Sequence, residues 1–158
     1  MATASQRADF DSLGGALRTL AQLKSQPLRT TGEWDLAHVL HHAAQSVEYS
    51  MQGFPVLKPA WFRYTVGPLA AKVFAARGLM SHSLTAPIPG APDIAQGQPL
   101  GAAVDHAIDV LTAFDRYGGT LFPHFPHFAY GNLDKAAYTR AHLLHFADHW
   151  QELDDAGH

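Results

Sequence analysis

A chain of 158 residues with 47% hydrophobic and 16% charged residues is long enough for one domain with a real core and too apolar for a disordered segment. The net charge of −3 gives no reason to expect a nucleic-acid or membrane partner, and the absence of cysteine excludes disulfides, thiolate metal sites and a cysteine nucleophile. No stretch is long and apolar enough to span a bilayer and the start has no apolar leader, so the expected location is cytoplasmic.

Residues 9–24 place Phe10, Leu13, Leu17, Leu20 and Leu23 at helical spacing, which predicts a first amphipathic helix. Pro27 and Thr30-Thr31-Gly32 break it. Thr30 with Glu33 three positions on has the form of a capping box, from which a second helix runs to about Gln52. Gly53 and Pro55 end that helix. A third helical stretch is expected over 60–76, bent near Gly67-Pro68. Residues 85–99, rich in Pro and Gly, read as an ordered surface loop. Leu100, Ala103, Val104, Ala107, Ile108, Leu111 and Phe114 mark a helix over 100–117 that Gly118-Gly119 closes. A last helix spans about 133–152, and no alternating run is long enough for a convincing strand. The expected fold class is therefore all-α, an antiparallel helix bundle forming one domain over residues 1–158.

Histidine is the unusual residue: there are 11, as many as Lys and Arg together. A single histidine is more often a surface or satisfied core residue than a ligand, so position decides. His145 and His149 lie four apart on the last helix and can chelate one ion from one face. At about 100° per residue, Tyr138, His142, His145, His149 and Glu152 share one arc. Two imidazoles make a weak site, so a third ligand must come from elsewhere. The second helix offers His38, His41 and His42. There His41 falls with Glu48 and Gln52 on an arc read as solvent-facing, and His42 with His38, Ser46 and Tyr49. Leu36, Leu40, Ala43, Val47 and Met51 form an apolar arc roughly opposite His42. Either that helix is covered on two sides or His42 points outward, and periodicity leaves both open. His82, His106, His124 and His158 have no constellation and read as surface or packing.

Trp34 followed eight positions later by His42, within the runs 33–36 and 40–46, resembles the second-helix motif of the DinB/YfiT-like metalloenzyme superfamily. The continuation 47–55 and the later run 126–133 are similar to the branch named domain of unknown function 1569, as are Val66-Gly67-Pro68-Leu69 and the loop 86–90. The resemblance covers most of the chain. It implies a DinB-like four-helix core with an extra helical segment, and a metal held by His42, His145 and His149. After His149 the chain reads Trp150-Gln151-Glu152 where the family pattern is more basic, which bears on the mouth of the site rather than on the ligands.

Three imidazoles leave an open position on a divalent ion, the arrangement of a catalytic site. Zinc is expected first, with Ni, Fe or Cu as competitors. His38, Tyr49, Tyr138 and His142 share arcs with the ligands and are expected to line a cavity. His127 is expected to support the site or to pack beside Phe125 and Phe128. The preferred reading is a metal-dependent enzyme acting on a small molecule through an activated thiol or water, a thiol-dependent transferase or a hydrolase. Relatives in the resembled family that use a small thiol cofactor suggest the former. The alternative is a non-catalytic, metal-stabilised bundle. Leu143, Ala147 and Trp150, opposite His145, give the last helix a second apolar side, which predicts a homodimer.

Overall fold

Three polar side chains start the principal helices. Ser12, Asp35 and Asp134 each accept a backbone N–H three residues on, from Gly15, His38 and Ala137, at 2.8–3.0 Å. The computed structural model describes residues 7–80, 83–118 and 125–155. Gly119, His82, His124 and His158 lie outside the described residues. In chain order the elements are α1 (Leu13–Gln22), β1 (Leu28–Thr30), α2 (Leu36–Gln52), α3 (Ala60–Tyr64), α4 (Val66–Arg77), α5 (Leu100–Arg116), α6 (Lys135–Trp150) and β2 (Leu153–Asp155). The protein is thus mostly helical, with one two-stranded sheet among the described residues.

The apolar arcs close on one another. α2 lies most extensively along α5, α1 also packs on α5, and α6 contacts both α1 and α2. Ala43, Ala44, Ala103 and Ala107 are buried, and such small residues let helices approach closely. Leu20, Leu40, Val47, Val104, Leu111, Phe114 and Phe146 fill the interior. The arc of α6 opposite His145 is also occupied from within the chain. Leu143 and Trp150 are buried, and Trp150 meets Phe10 edge-on at 4.9 Å. At the far end, Lys135 Nζ donates to the carbonyls of Phe114 and Tyr117, which ties the last turn of α5 to the first turn of α6.

Three expectations are corrected. Thr30 does not cap α2; it belongs to β1, and its hydroxyl donates to the Trp34 carbonyl while Asp35 takes the cap. The four-residue Thr-x-x-Glu pattern is short enough to occur without its geometry. The sequence showed no strand, yet β1 pairs antiparallel with β2, Arg29 opposite Asp154, because three residues are too few to display an alternation. The bend in the third stretch falls at Thr65, ahead of Gly67-Pro68, and splits it into α3 and α4. Pro68 accounts for this, since it has no N–H to give the Tyr64 carbonyl and its ring crowds that group.

The α3–α4 segment docks on the turn at 127–131. There His127 and Gly131 exchange backbone hydrogen bonds and Gly131 has φ +78°. A Cβ on Gly67 would collide with the Ala129 carbonyl, and one on Gly131 with the Arg63 carbonyl. Both glycines are therefore required by close backbone approach. Gly131→Ala should cost about 2–3 kcal/mol, from the positive φ plus the clash, and lower the thermal midpoint by roughly 5–10 °C. Calorimetry on the two proteins checks this, and an unchanged midpoint would show that the docking is loose.

Candidate metal centre

α2 is covered on two sides. Its Leu36, Leu40, Ala43 and Val47 arc enters the core, and the arc bearing His42 turns to α6. The facing turns of α6 carry His145 and His149. His42 Nε2 stands 3.3 Å from His145 Nε2, which is 3.2 Å from His149 Nε2. One ligand atom from each of the three histidines lies within 4.8 Å of the others, and among the described residues this set has three members. His42 and His149 are buried, and His145 is partly exposed.

The donor set fits a divalent ion. With metal–nitrogen bonds of about 2.05 Å, neighbouring ligands of a tetrahedral centre stand about 3.3 Å apart. The His42–His145 and His145–His149 separations match, and the third pair lies within 4.8 Å. Trp34, itself partly exposed, covers one side: its indole stacks on His38 at 4.1 Å and 19°, lies 4.9 Å from the His42 ring and 6.3 Å from that of His149. Its place eight residues before His42 thus corresponds to a ring laid across the imidazoles.

Next to the set is a cavity of about 350 Å³ whose lining includes His42, Ser46, His127, Phe128, His142 and His145. Residues 83–99 form the loop above it, and Ile88, 4% exposed, is its buried tooth. The loop is pinned to the start of α2, where Gly97 N donates to Asp35 Oδ2 at 2.8 Å and Gln96 Nε2 to the Glu33 carbonyl at 3.3 Å. Of the four residues expected around the cavity, His142 lines it. His38 lies under Trp34, Tyr49 packs on Phe54 at 5.7 Å, and Tyr138 donates its hydroxyl to the Phe125 carbonyl at 2.7 Å. Lys58, Ser46, Tyr130 and the 86–89 loop also line the cavity, a role the sequence did not assign to them. For Ser46 a signal existed, because it sits one turn from His42 on the same arc.

Burial sets the protonation of the inner groups. His127 and His142 are both pushed down to about 3 by desolvation, His127 with a smaller push from His142. His127 Nδ1 accepts the N–H groups of Ala129 and Tyr130, each at 3.1 Å, so its neutral ring holds the 127–131 turn. His142 Nε2 lies 3.0 Å from Ser50 Oγ, whose own proton goes to the Val47 carbonyl. Desolvation also lowers His38, against the pull of Asp35. Burial raises Tyr130 to about 12, with Asp148 adding to the shift.

Fold and site together define a helical protein in which three histidines from two helices can hold one metal ion beside a cavity. The chain belongs to the family described as protein of unknown function DUF1569, whose model matches residues 2–156. No curated protein and no solved structure matches it.

The buried histidines predict acid sensitivity. Each has a folded-state pKa near 3 against an ordinary value of 6.5, so between these values the unfolded chain binds more protons. Their contribution to stability is complete above about pH 6.5 and declines as pH falls, by about 1.4 kcal/mol per pH unit for each ring. His127→Asn keeps an acceptor for the two N–H groups and carries no charge. In chelator, urea titrations between pH 4.5 and 6 should give that variant a slope shallower than wild type by about this amount. Equal slopes would mean that His127 charges within the folded protein.

Proposed function

We propose that this protein is a DinB-like, divalent-metal-binding helix bundle that acts as a metal-dependent enzyme on a small molecule, of thiol-dependent transferase or hydrolase type. The observation that carries this reading is that His42 and His145 of the three-histidine set line a cavity, and that among the described residues the set has no fourth histidine or carboxylate member. Zinc is the first choice of ion, because the nitrogen separations match its tetrahedral preference. When bound, the ion supplies a Lewis acid that lowers the pKa of a thiol or water and polarises a carbonyl.

The chain's own residues divide the remaining work. His42, His145 and His149 hold the ion from two helices, and Trp34 covers one side. Met80, Ile88 and Phe128 give the cavity apolar walls, and Lys58 supplies a positive charge at its lining. One observation favours the second reading, a non-catalytic metal-binding bundle. His127 and His142 are held neutral down to about pH 3 and engaged inside the protein, so neither serves as a general acid at neutral pH.

Cobalt(II) loading separates the two. For an open site, adding a small thiol such as 2-mercaptoethanol should change the visible spectrum of the cobalt protein, and His42→Ala should abolish the change while the helical circular dichroism persists. A spectrum indifferent to thiol, imidazole and azide would support a closed, structural centre. A response to thiol but not to azide would favour transfer chemistry over hydrolysis.

A further inference from the structure

His41 and His42 are sequence neighbours that face different helices. His42 turns to α6, whereas His41 meets α5, with its Nδ1 2.8 Å from His106 Nδ1. His106 Nε2 is in turn 2.7 Å from Glu48 Oε1. A carboxylate only accepts, so His106 carries a proton on Nε2, and its neutral ring then presents a lone pair at Nδ1. That lone pair points at His41. The carboxylate–histidine pairing orients the ring, as it does behind the ligands of metal centres. The charged or titratable groups acting on His41 are His106, Glu48, His38 and Asp35, with neither lysine nor arginine among them. All three side chains are partly exposed at the edge of the α2–α5 seam, so water can complete a coordination shell.

The spacing of the two nitrogens distinguishes this pair from the three-histidine set. With metal–nitrogen bonds of about 2.0 Å, ligands at a right angle stand about 2.8 Å apart, whereas tetrahedral ligands stand about 3.3 Å apart. The His41–His106 separation has the right-angle value, and the His42–His145 and His145–His149 separations have the tetrahedral one. Adjacent nitrogen ligands at a right angle, with oxygen from water, suit square-planar or tetragonal Cu(II) and Ni(II).

We infer that His41 and His106 form a second metal site, independent of the three-histidine set, which takes a tetragonal divalent cation through two Nδ1 atoms with Glu48 as the positioning residue. On binding, His41 moves its proton from Nδ1 to Nε2 through water, so the ring stays neutral and nothing is oxidised or reduced.

Copper(II) is the probe, applied to the full chain by equilibrium dialysis and electron paramagnetic resonance. The wild type should hold one more copper than His106→Ala, with an axial signal split by two nitrogens. The same signal should vanish in His41→Ala and survive in His42→Ala, which separates failure of this site from failure of the three-histidine one. Glu48→Gln, which retains the packing, should weaken this copper about tenfold. Equal copper content in folded wild type and His106→Ala overturns the inference and leaves a plain imidazole–imidazole hydrogen bond. So does loss of the signal in His42→Ala, or an affinity unmoved by Glu48→Gln should His106→Ala fail to fold.

Discussion

Converging imidazole rings at the α2–α6 contact set the terms for the surrounding structure. Rings from two helices can share one ion only where their nitrogen lone pairs point to a common position. Two helices must then be held at fixed rotation about their own axes. The apolar arc of α2 against α5 does this from behind, because turning α2 to move His42 would drag Leu40 and Val47 out of the core. Hydrophobic packing thus holds the three histidines in register, and an ion would add to an arrangement that already exists.

The ends of the helices are used twice. Asp35 caps α2 with one oxygen and receives the Gly97 N–H on the other, so the residue that begins the ligand helix also anchors the loop above the cavity. His127 is likewise shared, since its ring lines the cavity while its Nδ1 organises the turn on which Gly67 and the α3–α4 segment rest. Cavity shape and helix placement are therefore not independent variables here. A change in the turn at 127–131 reaches the cavity wall directly.

What could be read in the sequence depended on the range of the interaction. The periodicities of α1, α2, α5 and α6, and the four-residue step from His145 to His149, are local and visible in a linear chain. The second covering of α2 was not, because its apolar arc and its histidine arc look the same whichever neighbours fill them. His106 was read as lacking a constellation, since His41 and Glu48 lie 65 and 58 residues away. A signal did exist: His106 stands between the buried Ala103 and Ala107 and so borders the face that meets α2. Thr30 and the two short strands show the opposite failure. A three-residue strand carries too little pattern, and a capping motif can be present while a neighbouring Asp takes the cap.

The strand pair has a mechanical consequence. β1 precedes α2 by a few residues, and β2 follows α6 almost directly. Thr31 adds a further hydrogen bond from its N–H to the Glu152 carbonyl at 2.8 Å. The two helices that carry the three histidines are thereby buckled together at one end, next to Trp34. Load applied to the chain just beyond Asp155 is shared between this short ladder and the end of α6, one residue past His149. A tether or surface attachment made there would pull on the histidine set, whereas one made ahead of α1 would first meet the Asp9–Arg18 ion pair and the packing of Phe10.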